Sequence, residues 1–305
     1  MRIVFIHPHK SFLPEIQAYR NFFSGYGIET VICRPDEYSE INADVEWHFL
    51  GMHTTNSKKK PVIIHEYASA SLPPFRKEKD FLKRWTNTKP DYRLFLNEYV
   101  KKQLGFKDNV PFGFREMGIA DSFFSTDKEI TKSHDFIYTG SVTANRQIEK
   151  LLTLFTNSHL KKHSLLILSS NYENLMDRFS SSENITFLGP VEHGMVSEYV
   201  SKSRFAINYM PDKEPFNHQT PVKLLEYIAL KIPVISSRYA WVEEFSQSYG
   251  GNFFYLDNED SNLTWENVTR HQFSFPDVEE WRWERQIRKS GVLEFLQSRF
   301  HELSF

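Results

Sequence analysis

The chain has 305 residues, of which 40% are hydrophobic, 25% charged and 15% aromatic, and its net charge is −2. This length suits two domains of ordinary size, and the composition excludes a disordered chain. The charge balance gives no general case for nucleic acid, and the single cysteine, Cys33, excludes an internal disulfide framework and fits a reducing compartment.

Arg2 to His7 is expected to be a buried strand; its apolar core, Ile3-Val4-Phe5-Ile6, is too short for a secretory leader. No later run approaches the roughly 20 apolar residues of a membrane span. The expected location is therefore cytoplasmic. The loop His7-Pro8-His9-Lys10-Ser11-Phe12 follows, then a helix over 14–24 closed by Gly25-Tyr26-Gly27, then a strand over 28–33. Such a βαβ opening places ligand sites at the carboxyl ends of strands. His7 and His9 are too few for a metal site and read as loop histidines. Residues 45–50 and 62–64 are further strands, the second ending in His65-Glu66. From Phe75 to Asp108 ten basic and five acidic residues leave a charge of +5, just after Lys58-Lys59-Lys60. Phe75, Phe81, Leu82 and Trp85 are interleaved with these charges. One reading is a basic, aromatic helix lying against anionic lipid headgroups. The other is a solvated helix whose apolar side packs on the sheet. Residues 92–96 read as a strand and 98–104 as a helix closed by Gly105. The domain boundary is expected within the polar run 125–132.

Asp135 to Ser141 is a strand running into a small-residue turn, where Gly140 permits close approach to the backbone. A helix over about 145–156 follows, with Arg146 at its start, able to chelate two phosphate oxygens at once. Strands over 164–168, 185–188, 205–209 and 252–255 alternate with helices over 173–179 and 195–201, as in a doubly wound sheet. Residues 257–269 are polar and receive no assignment, and the tail from Val278 to Phe300 reads as helical. Asn208 to Ser237 carries the most chemistry. Thr220 is a good N-cap and Pro221 suits the first helical position. Val222, Leu225, Ile228 and Ala229 form a buried face, while Lys223 and Glu226 share another. Ile232 to Ile235 is a short buried strand. A helix N-terminus with a lysine in its first turn is an anion site. Glu226 leans back toward the same end, where it suits a diol. Together these describe a nucleotide diphosphate with its ribose.

Thr220-Pro221-x-Lys223-Leu224-x-Glu226-Tyr227-x-Ala229, followed by Pro233-Val234-Ile235, resembles the donor-site segment of GT-B glycosyltransferases of family 4. The resemblance implies an α/β chain of two Rossmann-like, doubly wound domains facing a cleft. Residues 1–125 would form the acceptor-side domain and 126–284 the nucleotide-sugar domain, with the tail, 285–305, returning to the first. It implies that Glu226 holds the ribose and that Arg146 and Lys223 hold the diphosphate, with Lys150 as a substitute. Gly140, Ser141, His218 and Thr220 would complete the donor site. Many members carry a second glutamate eight positions before the ribose glutamate, and His218 occupies that position here. Of the catalytic set, His65 would face the donor sugar, and Glu66 would orient it or meet the acceptor. The implied reaction moves a hexose or related sugar from a donor such as a UDP-sugar to a hydroxyl of a glycan or lipid-linked acceptor. It would retain configuration without metal or cofactor, in keeping with the lack of an Asp-x-Asp triplet. Bacterial surface polysaccharide assembly, peripheral to the inner membrane face, is the setting suggested by the 75–108 segment. Two alternatives share the architecture: a noncatalytic protein binding a glycan or another subunit, and a sugar-nucleotide epimerase.

Overall fold

The computed structural model describes residues 1–8, 13–49, 53, 60–71, 74–124, 130–143, 146–157, 159–214 and 216–300. His9, Lys58, Lys59, Asn145 and most of the expected boundary run lie outside them. The chain divides into two compact units, Met1–Gly118 with Glu280–Phe305, and Ile119–Glu279. The divisions fall ahead of the boundaries expected at 125/126 and 284/285. Among the described residues no helix is long and apolar enough to cross a membrane.

Unit 1 holds six parallel strands: β1 (Arg2–Ile6), β2 (Glu29–Cys33), β3 (Val45–Phe49), β4 (Val62–Tyr67), β5 (Tyr92–Phe95) and β6 (Phe112–Phe114), in the order β2-β1-β3-β4-β5-β6. Strand alternation sorts β3 sharply. Trp47 turns to the face covered by the helix Pro14–Ser24, with its ring centroid 4.5 Å from that of Tyr19 and 5.5 Å from that of Phe5. Phe5, Tyr19 and Trp47 thus form a packed aromatic layer. The helical tail is two helices, Trp283–Lys289 and Val292–Arg299, parted by Gly291 at φ 70°. That left-handed residue ends one helix and starts the next, which a continuous apolar pattern does not reveal. The tail belongs to unit 1. Tyr92 donates its hydroxyl to the Ser290 carbonyl at 2.8 Å, and Phe295 stacks on Tyr92 with centroids 4.6 Å apart. Gly118 is required by close approach, since a Cβ there would meet the Trp283 ring at 2.3 Å.

Unit 2 holds β7 (His134–Thr139), β8 (Leu165–Leu168), β9 (Ile185–Leu188), β10 (Ser203–Asn208), β11 (Val234–Ser236) and β12 (Phe254–Tyr255), all parallel, in the order β12-β11-β10-β7-β8-β9. Counted within the unit, this is the strand order of dinucleotide-binding sheets, which reverses between the first and fourth strands. The helix Ile148–Asn157 covers β7 and β8 because Ile148, Leu151, Leu152 and Phe155 recur at helical spacing and are all buried. Two helices went unread in the sequence, Ala240–Tyr249 and Trp265–Arg270. The second carried a local signal: Thr264 caps it by accepting the Asn267 N–H at 3.2 Å.

Candidate functional site

In an open parallel sheet the ligand crevice lies outside the carboxyl ends of the two strands where the order reverses. In unit 2 these are β7 and β10. Their pairing runs from His134 opposite Ser203 to Ile137 opposite Ala206 and then stops. Past that point the Thr139 N–H is received at 3.0 Å by the hydroxyl of Tyr227, which also lies 2.9 Å from Thr139 Oγ1. Tyr227 is fully buried on the helix Val222–Ala229. Its hydroxyl satisfies a strand group that β10 no longer reaches, and it ties that helix to the turn after β7. Gly140 follows at φ 116°, with nothing within 4 Å of where a Cβ would stand. The backbone is therefore open to a ligand on that side.

Two cations converge on this end of the sheet. Lys223 holds its Nζ 3.9 Å from the centroid of the Tyr138 ring and donates to the Tyr209 carbonyl at 3.4 Å. Arg146 places its guanidinium 4.6 Å from the Phe216 ring centroid and touches Met210 Sδ. Among the described residues neither has a carboxylate partner. Desolvation pushes the Lys223 ammonium well below its ordinary pKa, and the Arg146 charge adds to the effect. Neutralisation by an anion would relieve both. Tyr138 and Phe216 were not singled out in the sequence, because their roles depend on which rings the fold sets beneath which cations.

The remaining donor-site candidates are placed less simply. The helix starts at Val222 with Pro221 in the N-cap position, and no side chain caps it. Thr220 precedes it, one residue outside the N-cap position expected of it, and is buried. Pro221 stays extended, at ψ 91°, and moves the helix start one residue on. Glu226 is 5% exposed, and burial raises its carboxyl to about pKa 8. It therefore sits neutral and enclosed in unit 2 at neutral pH rather than as an open carboxylate. His218 closes the short turn Phe216–His218 and is half-buried. Lys150 is held by Asp260 at 2.9 Å and by the Asn258 carbonyl at 3.0 Å. Asp260 also accepts from the Tyr209 hydroxyl at 2.6 Å, so Lys150 is committed within the fold as Arg146 is not. Ser141 is exposed after Gly140, and its carbonyl accepts the Tyr138 hydroxyl at 2.7 Å. Beside it Val142, Thr143, Gln147 and Lys150 border a depression of about 330 Å³.

His65 and Glu66 lie within β4 rather than beyond its end, because the strand continues to Tyr67. Successive residues of a strand face opposite ways, so Glu66 cannot orient His65. Glu66 accepts from Arg115, and from Trp47 Nε1 at 2.8 Å, inside unit 1. Arg115 also meets Glu15 at 3.4 Å, and all three charged groups are buried. On the other face His65 Nε2 lies 3.0 Å from His53 Nδ1, and its Nδ1 lies 3.3 Å from the Tyr67 hydroxyl. Burial holds His65 well below the usual histidine pKa, with His48 and His53 adding to it. Both ring nitrogens are thus engaged within unit 1.

Residues 133–269 match the family model described as Glycosyl transferases group 1, a span that contains β7 to β12. No curated protein sequence matches the chain. Among solved structures, Anabaena HepE in complex with UDP-glucose aligns at TM-score 0.61 and 10% identity, over 98% of this chain and 95% of that one. Sucrose-phosphate synthase from Thermosynechococcus elongatus aligns at TM-score 0.60 and 10% identity, over 99% and 96%. A UDP-GlcNAc 2-epimerase from Methanocaldococcus jannaschii aligns at TM-score 0.54 and 13% identity, over 97% and 100%. Identities this low speak to fold. Two six-stranded parallel sheets and these likenesses give the chain a GT-B fold, and residues 133–269, which hold the sheet of unit 2, match the group 1 glycosyl transferases.

Proposed function

We propose that the protein transfers a hexose or related sugar from a nucleoside diphosphate sugar, with UDP as the first candidate nucleotide, to a hydroxyl of a glycan or glycolipid. The observation that carries this reading is the pair Arg146 and Lys223, two cations without carboxylate partners among the described residues, at the β7/β10 crevice beside the open face of Gly140. Charge that develops on the departing diphosphate meets fixed positive groups there, which act in place of a divalent ion. Retention of configuration is part of the proposal. Glu226, kept neutral by burial, would serve a ribose diol as both hydrogen-bond donor and acceptor once the donor binds. Calorimetric titration with UDP, GDP and their sugars, followed by transfer assays, tests the reading. Arg146→Ala is expected to lower kcat, and Glu226→Ala to raise donor KM. Wild-type rates in both variants would defeat the assignment.

The acceptor side of the proposal rests on the helix Arg76–Thr86. This helix is inverted: Asp80 is its buried residue, while Trp85 is 77% exposed and Phe75, beside its start, 70% exposed. Phe81 and Leu82 are exposed as well, among Arg76, Lys77, Lys79, Lys83 and Arg84. An apolar face ringed by cations suits an anionic lipid surface, at about 1 kcal/mol per basic residue near the headgroups. The proposed acceptor is accordingly lipid-linked, at the cytoplasmic face of a membrane and in surface polysaccharide synthesis. Flotation with phosphatidylglycerol vesicles should retain the protein, and Phe81→Ser with Trp85→Ser should release it. Equal flotation of both would remove the membrane from the proposal. A second reading, epimerisation of the sugar nucleotide, is favoured by the likeness to the 2-epimerase. Product analysis with UDP-GlcNAc in the absence of acceptor separates the two.

A further inference from the structure

Unit 1 gathers two buried histidines, a half-buried third and a buried glutamate, and the donor reading uses none of the set as a unit. β3 and β4 are parallel neighbours with His48 opposite His65. Alternation therefore turns Glu46, His48, His65 and Tyr67 to one face, away from Trp47 and Glu66. His53 joins them from the segment after β3. Its backbone is anchored twice, its N–H to Asn87 Oδ1 at 2.9 Å and its carbonyl to the Thr88 N–H at 2.7 Å. His48 Nε2 lies 3.4 Å from Glu46 Oε2, and one ligand atom from each of Glu46, His48 and His53 lies within 4.8 Å of the others. Neighbouring ligand atoms on a tetrahedral ion with bonds of about 2.0–2.2 Å stand roughly 3.3–3.6 Å apart.

His53 Nδ1 pairs with His65 Nε2, and His65 Nδ1 pairs with the Tyr67 hydroxyl. This leaves His53 Nε2 buried and without a hydrogen-bond partner among the described residues, on a residue only 6% exposed. A metal-bound histidine is commonly fixed through its second nitrogen in this way. We propose that Glu46, His48 and His53 bind a divalent transition-metal ion, zinc by preference, with His65 as the positioning residue that holds His53. Two imidazoles and one carboxylate suit zinc and its neighbours and leave a fourth position open. The His48 and His53 rings stack with centroids 3.5 Å apart and planes 25° apart. Coordination therefore turns His48, the less enclosed of the two, so that its lone pair converges on the ion. The ion would clamp the His53 segment to β3. This site is separate from the donor reading of unit 2 and does not depend on it.

Tag-free protein, freed of metal by a chelator, is titrated with Co2+ and then Zn2+. Uptake is followed by the visible absorption of Co2+ and by calorimetry. The expected result is one equivalent of Co2+, displaced by Zn2+. Glu46→Gln and His53→Ala should each weaken uptake more than about tenfold, and His65→Ala by about 10–100-fold. His159→Ala, at an exposed position in unit 2, should change nothing. Glu46→Gln keeps the side-chain shape and decides alone should His53→Ala not fold. Absence of uptake by the wild-type chain, or uptake undiminished in Glu46→Gln, overturns the proposal.

Discussion

The two units are built from the same parts, six parallel strands each, yet they treat their cations in opposite ways. Unit 1 neutralises its own. Arg115 is enclosed by Glu66 and Glu15, and Arg93 grips Asp108 through its two terminal guanidinium nitrogens, one bond measuring 2.8 Å. Unit 2 sets Arg146 and Lys223 over aromatic rings and gives them no carboxylate among the described residues. A desolvated cation without a counter-charge is unstable unless a ligand supplies one. Under the donor reading proposed above, the difference separates cations that hold a fold together from cations that wait for an anion. Fold likeness alone cannot make that distinction, since both sheets are of one kind.

Substitution should break this comparison most visibly in unit 1. Arg115→Ala strands two carboxylates in the interior, so a loss of about 3–5 kcal/mol is expected in urea unfolding. A loss below 1 kcal/mol would mean that the network is wetter than its burial indicates. In unit 2 the same kind of change should spare stability and remove activity. Arg146→Ala is expected to cut kcat for transfer roughly 100-fold or more, about 2.7 kcal/mol, with the melting temperature little altered. Coincident loss of folding would make Arg146 structural, like Arg115. Tyr227→Phe leaves the Thr139 N–H without its partner and should cost about 1–3 kcal/mol. Donor KM should rise with it, because the turn at Gly140 loses its tether; an unchanged KM would confine Tyr227 to packing.

The smallest effect concerns pH. Glu226 is an acid whose folded pKa, about 8, lies above its ordinary 4.5. The folded state therefore holds a proton that the unfolded state has released between these values. Its contribution is fully present below pH 4.5 and is lost as pH rises to 8, at up to about 1.4 kcal/mol per unit. Glu226→Gln should flatten the fall in melting temperature across that window. Parallel curves for the two proteins would show that the carboxyl is ionised and hydrated in the fold.

Much of the architecture was legible because it is written locally. The apolar run of residues 3–6, the periodic apolar face of 148–157 and the glycine stop at Gly105 each specify an element from within a few residues. The choice of Lys223 and Arg146 as anion ligands also came from local signals, a cation at a helix start in each case. What failed locally did so for identifiable reasons. The reading of His65 and Glu66 as a cooperating pair assumed a strand that stops at Ile64. Three more paired residues in β4 put the two side chains on opposite faces. Thr220 has the chemistry of a cap, but Pro221 remains extended and takes the N-cap position itself. The tail looks continuous because its apolar pattern runs through Gly291, whose φ only the fold reveals.

By itself the amino-acid sequence determined the β/α alternation, the two-domain scale and the cations at position 146 and position 223. These follow from period, composition and residue type over short windows. Only the tertiary structure decided which charges are already spent. Arg115 meets Glu66 from 49 residues away, Lys150 meets Asp260 from 110 away, and His53, from outside the sheet, meets His65 on β4. Each pairing joins segments that share no local signal. Whether a charged residue is an internal partner or a site for ligand is a property of what the folded chain brings within a few ångströms of it.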